Sequence, residues 1–304
     1  MASVLVTGAS GTIGTALLKN LERDKYDIIG ADKESSRWDV DTEIRNADLT
    51  ANPDLPNTDV IVHLAAHSRV SPVVDEPSKA VENVEMTGTV LEHARQTDAS
   101  VIFASSREVY GNAIRPTEDK VGLEFKNPYG ASKAACEALC SSYVQCYDVP
   151  VVTLRLSNVY GPYEQNARVI PIFIALAVAG EELTVFGRNK ILNFVFIEDV
   201  TTAIKTAIDS RYALSGEAIN IGSKEGTPLT TLANLISTRI NQCPGYRVEP
   251  DRTGEVARYV PTISKAETLL DYTPTVDLKV GLDRTIDWFQ NQPELLDEIQ
   301  ATVR

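Results

Sequence analysis

Val4-Leu5-Val6-Thr7-Gly8-Ala9-Ser10-Gly11-Thr12-Ile13-Gly14 decides the fold. An apolar strand runs into a turn bearing three glycines, and the helical pattern Thr15–Glu22 follows at once. Glycine lets the backbone turn tightly and approach a ligand closely, while the first turn of a helix presents unpaired N–H groups and the positive end of its dipole. Strand, glycine turn and helix in that order read as the pyrophosphate cradle of a dinucleotide-binding βαβ unit, spaced here G-x-x-G-x-x-G. Gly8, Ser10, Gly11, Thr12, Ile13 and Gly14 are therefore cofactor-binding candidates. Asp32 closes the next apolar run, Ile28–Ala31, 18 residues past Gly14. A carboxylate there accepts hydrogen bonds from the adenosine ribose and repels a 2′-phosphate, which favours NAD over NADP, and the neighbouring Lys33 softens that repulsion.

The alternation continues through Val60–Ala65, Val101–Ala104 and Val151–Leu156, with amphipathic segments between these runs. Strands rich in Val, Ile and Leu without polar alternation are those covered by helices on both faces, so the chain reads as α/β, a Rossmann-type doubly wound parallel sheet. After Gly161-Pro162 the texture changes to an apolar helix around Ile170–Ala179 and short strands near Thr184–Gly187 and Asn193–Ile197. A further helix follows, with Asp199 as its N-cap candidate. The expected organisation is an NAD-binding domain over residues 1–162, rejoined by about 193–212, and a smaller, discontinuous C-terminal substrate lobe formed mainly by 163–192 and 213–304.

Composition narrows the partners. The 304 residues include 42 acidic and 29 basic ones, a formal charge of −13 spread along the chain, which argues against a nucleic-acid backbone as partner and is compatible with a salt-loving source. No run approaches the ~20 apolar residues of a membrane span. The first strand begins at Ser3, leaving no room for a signal peptide, so a cytoplasmic location is expected. Cys136, Cys140 and Cys146 fall on one helix at spacings that match neither a zinc site nor a disulfide framework, which predicts small buried hydrophobes and no metal.

Asn127-Pro128-Tyr129-Gly130-Ala131-Ser132-Lys133 opens a helix and places Tyr129 and Lys133 at i and i+4 on one face. An ammonium beside the phenol lowers a tyrosine pKa that starts near about 10, so Tyr129 is expected to serve as a general base. Val101 to Gly111 brings Ser105-Ser106-Arg107-Glu108 to the end of a strand, and carboxyl ends of parallel strands are where ligands sit.

These motifs are joined by Asp48-Leu49, by His63-Leu64-Ala65-Ala66, by Asn83 ahead of Leu91-Glu92, and by Leu154-Arg155-Leu156-Ser157-Asn158-Val159-Tyr160-Gly161-Pro162. Over essentially its whole length the chain resembles the extended short-chain dehydrogenase/reductase family, the group of sugar epimerases and dehydratases. The resemblance implies that Ser106 bonds the reacting hydroxyl, Tyr129 takes its proton and Lys133 holds the nicotinamide ribose. It implies Asp48 and Leu49 at the adenine, with Leu64, Ala65, Ala66 and Asn83 along the cofactor. Asn158, Arg168 and Arg252 would face the diphosphate of a sugar nucleotide, and the protein would be a homodimer. Ser68, near His67 and Arg69, and the pair Arg107 and Glu108 are further substrate-contact candidates at the same mouth.

The implied reaction is that of a nucleotide-sugar epimerase, most like UDP-glucose/galactose 4-epimerases. Two departures bear on it. Leu192-Asn193 stands where the family usually has Arg-Asp, and leucine offers no charged fork to a diphosphate, leaving Arg188 or Lys190 to compensate. That loss keeps open a dehydrogenase of a free sugar or sugar phosphate that releases NADH; a non-catalytic NAD-binding scaffold is the third alternative. Arg107 replaces the acid of the Asp-Glu pair found in dTDP-glucose 4,6-dehydratases, where UDP-glucuronate decarboxylases have Ser-Glu, and this disfavours dehydration.

Overall fold

The computed structural model describes residues 1–113, 115–119, 121–252 and 256–303. Strand and helix alternate from the start: β1 (Ala2–Thr7), α1 (Thr12–Asn20), β2 (Tyr26–Asp32), β3 (Ile44–Asn46), β4 (Val60–His63), α2 (Val70–Asp75), α3 (Ser78–Thr97), β5 (Ser100–Ser106), α4 (Pro128–Tyr147) and β6 (Val151–Leu156). Then come β7 (Asn158–Tyr160), α5 (Val169–Val178), β8 (Leu183–Phe186), β9 (Ile191–Leu192), β10 (Phe194–Phe196), α6 (Ile197–Asp209) and β11 (Ala218–Ile221). The remainder is β12 (Thr227–Pro228), α7 (Leu229–Ser237), β13 (Tyr246–Glu249), α8 (Ser264–Leu270), α9 (Leu278–Gln290) and α10 (Pro293–Ala301).

Seven strands form one sheet in the order β11-β6-β5-β4-β1-β2-β3, every ladder parallel. The chain winds outward in both directions from β1, so β2 and β4 flank it and a crevice opens at the carboxyl ends of the three. Successive residues of a strand point to opposite faces, which explains the unbroken apolar run of β1. Val4 and Val6 pack with Leu17 of α1 and Ile204 and Ile208 of α6. Leu5 packs on the other face with Leu91 and Ala94 of α3 and Cys136 of α4. Each such side chain contributes about 1.5–3 kcal/mol when fully buried. A second core, built from Phe173, Leu192, Phe194, Leu232, Phe289 and their neighbours, belongs to the smaller lobe.

Two expectations change, and a third gains detail. Within 213–304 the chain re-enters the main sheet at β11 against β6, and Ile263, Ala266, Leu270 and Tyr272 pack into the core of β1 and α6. Four residues with Asn220 among them carry too short a pattern to announce an edge strand. Asp199 is not a cap: α6 begins after Phe196, and the buried Asp199 carboxylate accepts from Thr275 N at 2.9 Å and Thr275 Oγ1 at 2.7 Å, tethering that segment to the first turn of α6. Cys136 and Cys140 are buried but Cys146 is exposed, since six residues at 3.6 per turn carry a side chain to a different helix face. Among the described residues no helix is long and apolar enough to cross a membrane.

Candidate active site

A cleft of about 1070 Å³ runs from the turn after β1 across the ends of β4 and β5 to the smaller lobe. Gly8 has φ +71°, and a Cβ there would come within 2.6 Å of Ala65 N; one on Gly14 would collide with the Gly8 carbonyl. Both positions therefore exclude a side chain. No side chain caps the start of α1, and Gly11, Thr12 and Ile13 line the cleft there. An uncapped helix start on a cleft wall fits a pyrophosphate, whose oxygens accept from the free N–H groups.

At the cleft end that also carries Lys33 and Asp48, Asp32 receives Ser10 N on Oδ2 at 2.9 Å and Glu34 N on Oδ1 at 3.0 Å. Each carboxylate oxygen keeps a lone pair for a ribose hydroxyl. Lys33 is exposed on the rim. Asp48 accepts from Thr50 N at 3.0 Å and caps the short 3-10 turn Leu49–Ala51, so both Asp48 and Leu49 are fixed on the wall, as are Leu64, Ala65 and Ala66. Asn83 lies behind the wall. Its Oδ1 accepts from His67 N at 2.8 Å and its Nδ2 donates to Ser132 Oγ at 3.1 Å, pinning the segment after β4 to α4. Asn83 is therefore placed to support the wall through His67 and Ser132. His63 plays a similar part beneath it, between Thr7 Oγ1 at 2.8 Å and Thr87 Oγ1 at 3.2 Å. Burial pushes its pKa down to about 3, and the Lys133 charge acts in the same direction.

Ser106 ends β5, and its Oγ accepts from Glu108 N at 3.2 Å, capping the 3-10 turn Arg107–Tyr110. Asn127 caps α4 through Gly130 N at 2.8 Å, with Pro128 at the first helical position where its missing N–H costs nothing. Tyr129 is thus presented in the first turn of α4. Burial pushes its phenol above the ordinary value, the Ser106 hydroxyl and then the Arg168 guanidinium pull it down, and Glu108 pushes it up. Lys133 does not aim at the phenol. Its buried Nζ donates to Ala104 O at 2.8 Å, 4.8 Å from the centre of the Phe103 ring, and burial lowers its pKa. The expectation that Lys133 lowers the Tyr129 pKa is therefore corrected, because an enclosed ammonium turns to the nearest free carbonyl.

On the substrate side Arg107 Nη2 meets Glu108 Oε1 at 2.8 Å, and its Nε donates to Asn158 Oδ1 at 3.2 Å. Asn158 Nδ2 donates to Asn193 O at 2.8 Å. Arg168 reaches Ser68 Oγ at 3.0 Å and Glu164 Oε2 at 3.2 Å. Glu164, which no sequence motif marked, also accepts from Thr12 Oγ1 at 3.0 Å, and Gln165 Nε2 donates to Ser10 O at 3.1 Å. Leu192 is buried on the cleft wall. Lys190, 3% exposed and 3.5 Å from Asp251 Oδ1, shares that wall, whereas Arg188 is exposed outside it. Arg252 lies 3.7 Å from the centre of the Phe186 ring at the same end; the neighbouring Thr253, Gly254 and Glu255 lie outside the described residues.

A doubly wound parallel sheet with a glycine turn and an uncapped helix start on the cleft wall, and serine, tyrosine and lysine gathered at the end of β5 and the start of α4, is the architecture of a dinucleotide-dependent enzyme. The chain belongs to the NAD dependent epimerase/dehydratase family, which matches residues 4–222. It is an enzyme of the extended short-chain dehydrogenase/reductase type with NAD as cofactor. A putative UDP-glucose 4-epimerase of Methanocaldococcus jannaschii is 32% identical to it over 95% of this chain and 98% of its own. An epimerase from the thermophilic methanogen Methanothermobacter thermautotrophicus superposes with a TM-score of 0.89 at 28% identity, over 98% of this chain and 94% of its own. UDP-glucuronic acid 4-epimerase from Bacillus cereus, solved with UDP-glucuronic acid and NAD, gives 0.87 at 27% identity, over 95% and 99%.

Proposed function

We propose that this protein is an NAD-dependent nucleotide-sugar epimerase that inverts the C4 carbinol of a UDP-glucose or UDP-galactose type substrate. The observation that carries the reading is the buried Tyr129 phenol facing Ser106 at the end of β5, inside the cleft that begins at the glycine turn. Ser106 holds the reacting hydroxyl, and Tyr129, acting as its phenolate, takes the proton and as the resulting phenol returns it to the inverted centre. Lys133, anchored on Ala104 O, supports the nicotinamide ribose from the same enclosed space. Bound NAD supplies the reversible removal and return of the carbinol hydrogen. Lys190 and Arg252 on the distal wall supply positive charge for a diphosphate where the usual arginine is Leu192.

Leu192 also favours a second reading, a dehydrogenase of a sugar that carries no diphosphate. Incubation with UDP-galactose or UDP-glucose, and separately with free aldoses and their phosphates plus NAD, separates the two. Interconversion of UDP-sugars without net NADH supports the epimerase; stoichiometric NADH from a free sugar, with UDP-sugars inert, overturns it.

A further inference from the structure

We propose that Arg107 is a positioning residue that holds Glu108 away from the sugar, so that the site moves hydrogen at the carbinol carbon and nowhere else. The proposal rests on the epimerase reading. Oxidation of a ring carbinol makes the hydrogens on the two flanking carbons acidic. A carboxylate in reach removes one of them as a proton and leaves an enolate. Return of a proton to that carbon scrambles its configuration, and a hydroxyl one carbon further on departs as water. A site that inverts one centre must therefore offer one proton acceptor and withhold the rest.

The described wall of the cleft carries five carboxylates. Asp32, Glu34 and Asp48 stand at the adenosine end, leaving Glu108 and Glu164 towards Ser106. Glu108 is two residues past Ser106 and 4% exposed. Its Oε1 is held by Arg107 Nη2 at 2.8 Å and its Oε2 by Asn127 Nδ2 at 2.9 Å. Both holders are themselves fixed, Arg107 on Asn158 Oδ1 at 3.2 Å and Asn127 as the cap of α4. The start of α4 also presses on Glu108 directly, since a Cβ on Gly130 would come within 2.6 Å of the Glu108 carbonyl oxygen. Glu164 is engaged likewise, by Thr12 and Asn166 on Oε1 and by Arg168 on Oε2. The imidazole of His67, also on the wall, is joined to Glu82 at 2.7 Å. These bonds fix the direction of the Glu108 carboxylate, which is 4% exposed, while Tyr129 is the acceptor the epimerase reading assigns to the sugar. Removal of the Arg107 guanidinium would leave a buried carboxylate without its countercharge, which relieves itself by turning into the cleft as the free base.

Turnover of UDP-galactose in deuterated water, with deuterium at C3 and C5 of the products read by NMR and mass, tests this. The unmodified protein is expected to interconvert UDP-sugars and leave both carbons unlabelled. Arg107→Met is expected to raise label per turnover by about tenfold or more, a modest share of what a general base supplies, and Arg107→Gln to do the same should the methionine variant fold poorly. Adding Glu108→Gln to either should return the label to baseline. A purely structural role for Arg107 would lower turnover without labelling carbon. Label in products of the unmodified protein, turnover by the Arg107 variants without label, or label that survives Glu108→Gln would each overturn the proposal alone. Failure of the unmodified protein to turn over any UDP-sugar would overturn the epimerase reading, and this proposal with it.

Discussion

The hydroxyl of Thr12 in the glycine-rich turn donates to the Glu164 carboxylate at 3.0 Å across 152 positions of chain. Beside it Gln165 reaches Ser10 O, and Arg168 links Glu164 to Ser68. Residues 164 to 168 therefore span from the turn after β1 to the turn after β4, both of which line the cofactor cleft. Glu164→Ala is expected to speed NAD dissociation about tenfold, because losing a hydrogen bond to a charged group costs about 1.5–3 kcal/mol and 1.4 kcal/mol is tenfold. Exchange of bound NADH followed by its fluorescence reads this, and an unchanged rate would detach the strap from cofactor retention.

Tyr129→Phe should lower turnover by roughly a hundredfold to ten-thousandfold while NAD affinity changes little, since only the proton acceptor is lost. Steady-state rates and calorimetric NAD titration check both halves. A loss below about tenfold would mean that another group takes the proton.

NAD should bind at least about tenfold more tightly than NADP, a difference of roughly 1.4 kcal/mol. Asp32→Ala should narrow that gap, with some loss of NAD affinity as well, because Asp32 also anchors Ser10 N. Equal affinity of the unmodified protein for the two cofactors would transfer control of the adenosine end to Lys33 or another residue.

His63 should make stability pH-dependent. Its folded pKa is depressed from 6.5 to about 3, so the unfolded chain takes the proton first. The contribution is fully present above pH 6.5 and is lost as pH falls towards 3, at about 1.4 kcal/mol per pH unit. Urea unfolding at about pH 5.5 and about pH 4.5, both inside that window, should show that slope, and His63→Gln should flatten it by the same amount. An unaltered slope in the variant would assign the acid sensitivity to other groups.

The glycine turn, Asp32, Ser106 and the Tyr129/Lys133 pair were singled out from the amino-acid sequence alone, and the structure lines one cleft with them. Each is a local relation: a glycine turn between strand and helix, a strand's last residue, two side chains one helical turn apart. Such relations follow from the repeats of strand and helix and need no knowledge of what packs against them. Tertiary structure alone decided where the charged ends of those side chains go. It turned Lys133 to Ala104 O, locked Glu108 between Arg107 and Asn127, put Lys190 rather than Arg188 on the cleft wall, set Asn83 behind it, and brought Glu164 to Thr12. It also returned the chain to the main sheet at β11. Each of these outcomes depends on which groups from distant segments are enclosed together. A buried polar atom must take a partner within about 3 Å or forfeit its hydration, and that partner is chosen by packing rather than by sequence spacing.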